Sequence, residues 1–127
     1  MKVLNIILKV ILCLLLVMPV LGSFGVFPPP TAEMYSPAGW EFMQALMATG
    51  YMMPLMGITF AVCLLLILFG RTPLAMIILA PLTVNIVFFH LIVDDSFFTL
   101  AASMAWVLLL LNAYFLWQSR EAYRELW

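Results

Sequence analysis

Between Thr83 and Asp95 the chain reads TVNIVFFHLIVDD, a run of large apolar residues holding an asparagine, the only histidine and two adjacent aspartates. These residue types can hydrogen-bond and exchange protons. At 100° per residue, Thr83, His90 and Asp94 fall within about 40° of one another on a helix, and Asn85 lies nearly opposite. Asp94 stands four residues after His90, so imidazole and carboxylate can pair. Asn85 offers two donors and an acceptor. Asn85, His90, Thr83 and Asp94 are therefore the candidate contacts for a ligand or partner.

The chemistry stops there. A single histidine, no carboxylate deep in an apolar run, no metal-ligand spacing, no glycine-rich phosphate loop and no nucleophile beside a base leave no catalytic constellation. Cys13 and Cys63 lie in hydrophobic stretches without a C-x-x-C pair, and read as small packing residues. Net charge is −1, and no basic patch is interleaved with aromatics, so nucleic-acid binding is set aside.

The surrounding elements decide the class. Hydrophobic residues make up 67% of the 127-residue chain and charged ones 9%, against roughly a quarter charged in a soluble domain. Residues 10–32, 42–70, 72–93 and 96–119 carry no Lys, Arg, Asp or Glu. Each holds a stretch near the ~20 apolar residues that cross a bilayer as a helix. The sequence predicts an all-α, membrane-embedded four-helix bundle with up-down-up-down order and spans at about 3–22, 52–69, 73–93 and 98–118. The whole chain, 1–127, reads as one membrane domain surrounded by lipid.

Charge sets the orientation. Lys2, Lys9, Arg71, Arg120 and Arg124 fall at the two ends and the second connection, while the first and third connections hold only Glu33, Glu41, Asp94 and Asp95. The positive-inside rule then places both termini in the cytoplasm and the first and third connections outside. The first segment has two readings: a retained helix, with Lys9 snorkelling to the cytoplasm, or a signal peptide cleaved before Ser23.

The long first connection is structured. Phe27-Pro28-Pro29-Pro30 favours an extended polyproline run. Ser36-Pro37 starts a helix, Trp40, Met43 and Met47 recur at helical spacing, and Gly50 suits its end. Residues 37–49 read as a short amphipathic helix on the outer membrane surface. Thr72 can cap the third span ahead of Pro73, and Asp95 or Ser96 the fourth. Ala101, Ala102 and Ala105 supply small residues for close helix contact, and Tyr123 and Trp127 pair at i, i+4 in the tail.

Depth separates the polar residues. At about 1.5 Å per residue, His90 lies roughly 5 Å below the outer boundary and Asn85 roughly 12 Å below it. An amide at that depth must face the bundle interior or a wet cavity. Pro81, one turn earlier, frees the carbonyl of Ile77. Asn85 is then either interhelical glue, with Asn112 as a partner about 9 Å away in depth, or the wall of a polar pocket.

The stretches PPP at 28–30, EFMQALMATGYMMPLMG at 41–57, and LFGRTPLAMIILAPLTVNIVFFH at 68–90 with its acidic turn resemble the DoxX family of small membrane proteins. The resemblance covers roughly residues 28–95, and glycine-arginine-x-proline-leucine-alanine followed by AP-x-x-VNI-x-x-FH is its most specific part. It implies a four-helix bundle in the bacterial cytoplasmic membrane. Some members are subunits or accessories of quinone-linked redox complexes. With no catalytic constellation of its own, this chain reads as a non-catalytic accessory or structural subunit linked to such a complex, with a membrane protein or a second copy as partner. Quinone enters by resemblance alone, since the residues carry no cofactor signature. The alternative is a small-molecule or quinone site, or a conduit, in an outward-facing pocket on the third helix. Asn85 and His90 fit the family pattern. Phe60 stands where relatives often carry glutamate, and Leu21 to Phe24 stand where they often carry Asn-Lys, so chemistry resting on those residues is missing here.

Site-directed labelling tests the orientation. Cysteines at positions 40 and 95 should react from outside intact cells, and those at position 71 and the C-terminus only after permeabilisation. Outer labelling at position 71 would sink the four-span order.

Overall fold

The structure is a computed structural model that describes residues 1–95 and 99–126. The described residues are all-helical, with no strand. Helix α1 is Lys2–Ser23, α2 is Pro37–Ala48, α3 is Met52–Leu68, α4 is Thr72–Phe88 and α5 is Leu100–Gln118. A 3-10 turn, Ala32–Met34, precedes α2, a π-helical turn, Phe89–Val93, prolongs α4, and a 3-10 segment, Arg120–Leu126, follows α5.

Among the described residues, three helical stretches are long and apolar enough to cross a membrane: Lys2–Ser23, Thr72–Val93 and Leu100–Gln118. A fourth qualifies only if α2 and α3, bent by 88° at the break between them, count together. On its own α3 has 17 residues, about 26 Å of rise against a hydrocarbon core of ~30 Å.

Helix α1 packs on α3, α3 on α4 and α4 on α5, while α1 meets α5 along a shorter seam. One apolar core joins the four. It is built from Leu12 and Leu16 of α1, Phe60, Cys63 and Ile67 of α3, Ala75, Met76 and Leu79 of α4, and Leu108, Leu111 and Phe115 of α5. Gly57 lets the end of α1 approach α3, since a Cβ there would come 2.5 Å from the Ser23 Cβ. Phe60 is 1% exposed and packs as core.

Polar groups tie the helices as well. Asn112, buried on α5, donates to the Met76 carbonyl of α4 at 3.2 Å. Its partner is thus backbone rather than Asn85. Away from that core, the Tyr114 hydroxyl and the Gln118 amide of α5 both donate to Asn5 Oδ1 of α1, at 2.7 and 3.0 Å. The Tyr123 hydroxyl folds the C-terminal segment back by donating to the Pro73 carbonyl at 2.7 Å.

The ends of the elements follow local chemistry. Ser36 caps α2, its hydroxyl accepting from the Gly39 N–H at 3.1 Å. Gly50, at φ +74°, turns the chain between α2 and α3. Two expected caps are corrected. Thr72 lies inside the first turn of α4, buried, with its hydroxyl making no hydrogen bond among the described residues. Helix α5 is capped by Thr99, whose hydroxyl accepts from the Ala102 N–H at 3.2 Å, while Asp95 takes a left-handed turn conformation at φ 47°. Ser96 as an alternative cap, Phe98 as a span boundary and the Tyr123–Trp127 pairing fall outside the described residues.

Phe60→Ala should lower unfolding stability in detergent by about 3–5 kcal/mol, the usual cost of emptying an aromatic core position. Asn112→Leu should change it by less than about 1 kcal/mol, because hydrogen bonds between membrane helices average ~0.6 kcal/mol. A larger loss for Asn112→Leu than for Phe60→Ala would reverse the assignment of what holds the core.

Candidate functional site

The site forms where α2 folds over the end of α4. The carboxylate of Asp94, 5% exposed, accepts the Ser36 N–H at 2.6 Å through Oδ1. Ser36 also reaches the Val93 carbonyl with its hydroxyl at 3.4 Å. The carboxylate thus sits at the positive end of the α2 dipole. Gly39 is what allows this approach, because a Cβ at that position would overlap the Asp94 carboxylate.

The π turn supplies the other half of the geometry. The Asp94 N–H donates to the Phe89 carbonyl five residues back, at 2.8 Å. A π turn advances less around the axis per residue than an α-helix, and such turns recur at functional sites. His90 stays close to Asp94, with Nδ1 at 4.0 Å from Oδ2. The His90 ring also packs edge-on to Phe89, with centroids 5.2 Å apart.

An aromatic cluster fastens α2 and the preceding loop to this turn. Tyr35 stacks on Trp40 with centroids at 6.2 Å and meets Phe89 edge-on at 6.0 Å. Phe42 meets Phe89 at 5.3 Å. Such pairs contribute about 0.5–1.5 kcal/mol each beyond their buried area. Burial, and then the nearby Asp94 carboxylate, push the Tyr35 hydroxyl above its ordinary pKa. Tyr35 is therefore a neutral phenol at physiological pH, able to donate a hydrogen bond.

Under this roof lies a cavity of about 340 Å³. Phe42, Met43 and Leu46 of α2 form its ceiling and Met52 and Met56 of α3 one side, with Tyr35 at the rim. Asn85 and Ile86 of α4, Phe89 and His90 of the π turn and Ala101 of α5 complete it. The first four are i, i+1, i+4 and i+5, one broad face across the end of α4. Asn85 is exposed on that face, and among the described residues its amide makes no hydrogen bond. A second cavity of about 250 Å³ shares Tyr35, Met43 and Met56 and continues under Pro28 and Pro30.

The four sequence-derived candidates therefore separate. Asn85 and His90, nearly opposite on an ideal wheel, line one cavity. Thr83, which the wheel groups with His90, turns into the core, 0% exposed, with its hydroxyl donating to the Leu79 carbonyl at 3.0 Å. Asp94 does not line the cavity and instead holds its roof in place. Tyr35, Phe42, Met43, Met52, Met56 and Ala101 were not singled out as site residues by sequence reasoning. The signal available was the capped, amphipathic α2, but no spacing rule says where such a helix folds back.

This arrangement can hold a molecule with an apolar or aromatic body and one hydrogen-bonding head. Among the described residues, no cluster of three or more His, Cys, Asp or Glu is placed to hold a metal.

Gly39→Ala sharpens the account of the roof. Helix propensity alone would make α2 more stable by about 1 kcal/mol, whereas overlap with Asp94 would loosen it. Hydrogen exchange at the amides of residues 40–48 should speed up in both Gly39→Ala and Asp94→Ala, with α5 unchanged. Slower exchange in Gly39→Ala would remove the clamp.

No protein-family model, curated protein or solved structure gave a significant match to this chain.

Proposed function

We propose that the chain is a DoxX-like multi-pass protein of the bacterial cytoplasmic membrane that binds a small molecule in the cavity beneath α2. In this reading α1, α3, α4 and α5 are a membrane-embedded four-helix bundle with both termini in the cytoplasm, and α2 lies in the outer interface. The 88° bend between α2 and α3 supports this placement, because it lays α2 across the end of a spanning helix. The lone Arg71 in the α3–α4 turn and the aspartates after α4 support the orientation.

One observation carries the binding function. The Asn85 amide opens onto a cavity instead of bonding to a neighbouring helix. An amide left there without a partner is costly, and a ligand carbonyl or hydroxyl would satisfy it. His90, which lines the same cavity, and the neutral Tyr35 hydroxyl add polar contacts. Phe42, Phe89 and the methionines suit a flat apolar body. The quinone headgroup suggested by the DoxX resemblance is one molecule of this kind.

A second reading keeps the accessory-subunit role implied by that resemblance. Its support is α1, whose apolar window is only 11% buried, against 28% and 33% in the two other long spans. That leaves an apolar helix face for a membrane partner or a second copy.

Asn85→Leu tests the binding function. The variant should insert and fold normally yet bind a quinone headgroup analogue roughly tenfold to a hundredfold more weakly, the effect of one lost hydrogen bond to the ligand. His90→Ala should weaken binding less, since the His90 ring already packs against Phe89 and lies beside Asp94. Full binding by Asn85→Leu beside none by His90→Ala would move the site to the outer surface.

A further inference from the structure

We infer that the ligand is a membrane-dissolved amphiphile with one linear chain, whose head occupies the cavity under α2 and whose chain leaves through the seam between α1 and α5. The inference rests on the binding function proposed above and adds the ligand class and its route of entry.

Continuity of the cavities carries it. Ile86 and Ala101 line the head cavity, and both also line a second space of about 200 Å³. That space is walled by Leu15 and Met18 of α1 and by Met104, Ala105 and Leu108 of α5. It lies along the seam between α1 and α5, the least extensive of the contacts that join α1, α3, α4 and α5 into one core. Ala101 and Ala105, one turn apart, leave this groove open, and every side chain named in it is apolar. Polar groups stand at the other end of the path, at Asn85, His90 and Tyr35. The path thus runs from a hydrogen-bonding end, past two shared residues, to an apolar groove suited in chemistry to a hydrocarbon chain. A compact water-borne ligand would need the first part alone.

Chain length should add little affinity, because lipid tails are as apolar as the groove. Position is therefore the informative readout. The probe is a dodecyl ester of 4-hydroxybenzoate carrying a diazirine at the chain end, with a methyl ester carrying a diazirine on the ring for comparison. Both are added to the full chain in lipid nanodiscs, and adducts are mapped by mass spectrometry. Leu14 and Leu65, both apolar and exposed away from the groove, report labelling by chains in bulk lipid.

The ring probe should label the head cavity at Met43 or Met52. The chain-end probe should label Met18 and Met104 well above Leu14 and Leu65. Ala105→Leu, which fills the groove, should bring Met18 and Met104 down to that background and leave ring labelling intact. Asn85→Leu should reduce both. Equal chain-end labelling of Met18, Met104, Leu14 and Leu65 with ring labelling preserved would overturn the seam and leave the head site standing. The seam also fails if Ala105→Leu leaves labelling at Met18 and Met104 unchanged. Absence of ring labelling would remove the head site and the seam with it.

Discussion

A buried carboxylate at the start of a short helix fixes the geometry on which the candidate site depends. Asp94 accepts the Ser36 N–H, and a hydrogen bond to a charged acceptor contributes about 1.5–3 kcal/mol. Gly39 leaves room for the carboxylate to approach, and the dipole of α2 favours its charge. Without this contact α2 would be held by the Gly50 turn and by aromatic packing on Phe89. With it, both ends of α2 are fixed, and Phe42, Met43 and Leu46 become the ceiling of a cavity. Asp94 therefore acts through the position of α2 and not by touching a ligand.

The same contact explains how one helix serves two environments. Thr83 faces the core and donates its hydroxyl to the Leu79 carbonyl, which satisfies that buried group. Two residues later Asn85 faces the cavity. Asn112 shows the alternative fate of an amide in this protein, since it is buried and bonded to the Met76 backbone. Pairing with backbone costs no second polar side chain, and it leaves Asn85 available for another partner. The two asparagines, alike in composition, thus divide into interhelical tie and cavity wall.

Much of the fold was legible in the uncharged runs, because charge is so costly within an apolar span that its absence marks the helices. Ser36-Pro37 and Gly50 marked α2 for equally local reasons. What could not be read was longer-ranged. A helical wheel assumes 100° per residue, and the π turn at Phe89–Val93 breaks that assumption where His90 and Asp94 stand. The turn at Thr72 looked like a cap by residue type, yet burial took its hydroxyl into the helix. Asn85 and His90 were visible as polar residues out of place, whereas the cavity they share depends on α2 folding over α4, a contact spanning 58 residues of sequence.

The most direct measurement is the accessibility of position 85. In a background with Cys13 and Cys63 replaced by alanine, Asn85→Cys would be treated from outside right-side-out vesicles with a small, charged methanethiosulfonate. The account predicts that the thiol reacts, and reacts faster once Asp94→Ala releases the roof. A thiol inert to that reagent in both backgrounds, yet modified by a lipid-soluble maleimide, would place residue 85 against lipid and contradict the cavity.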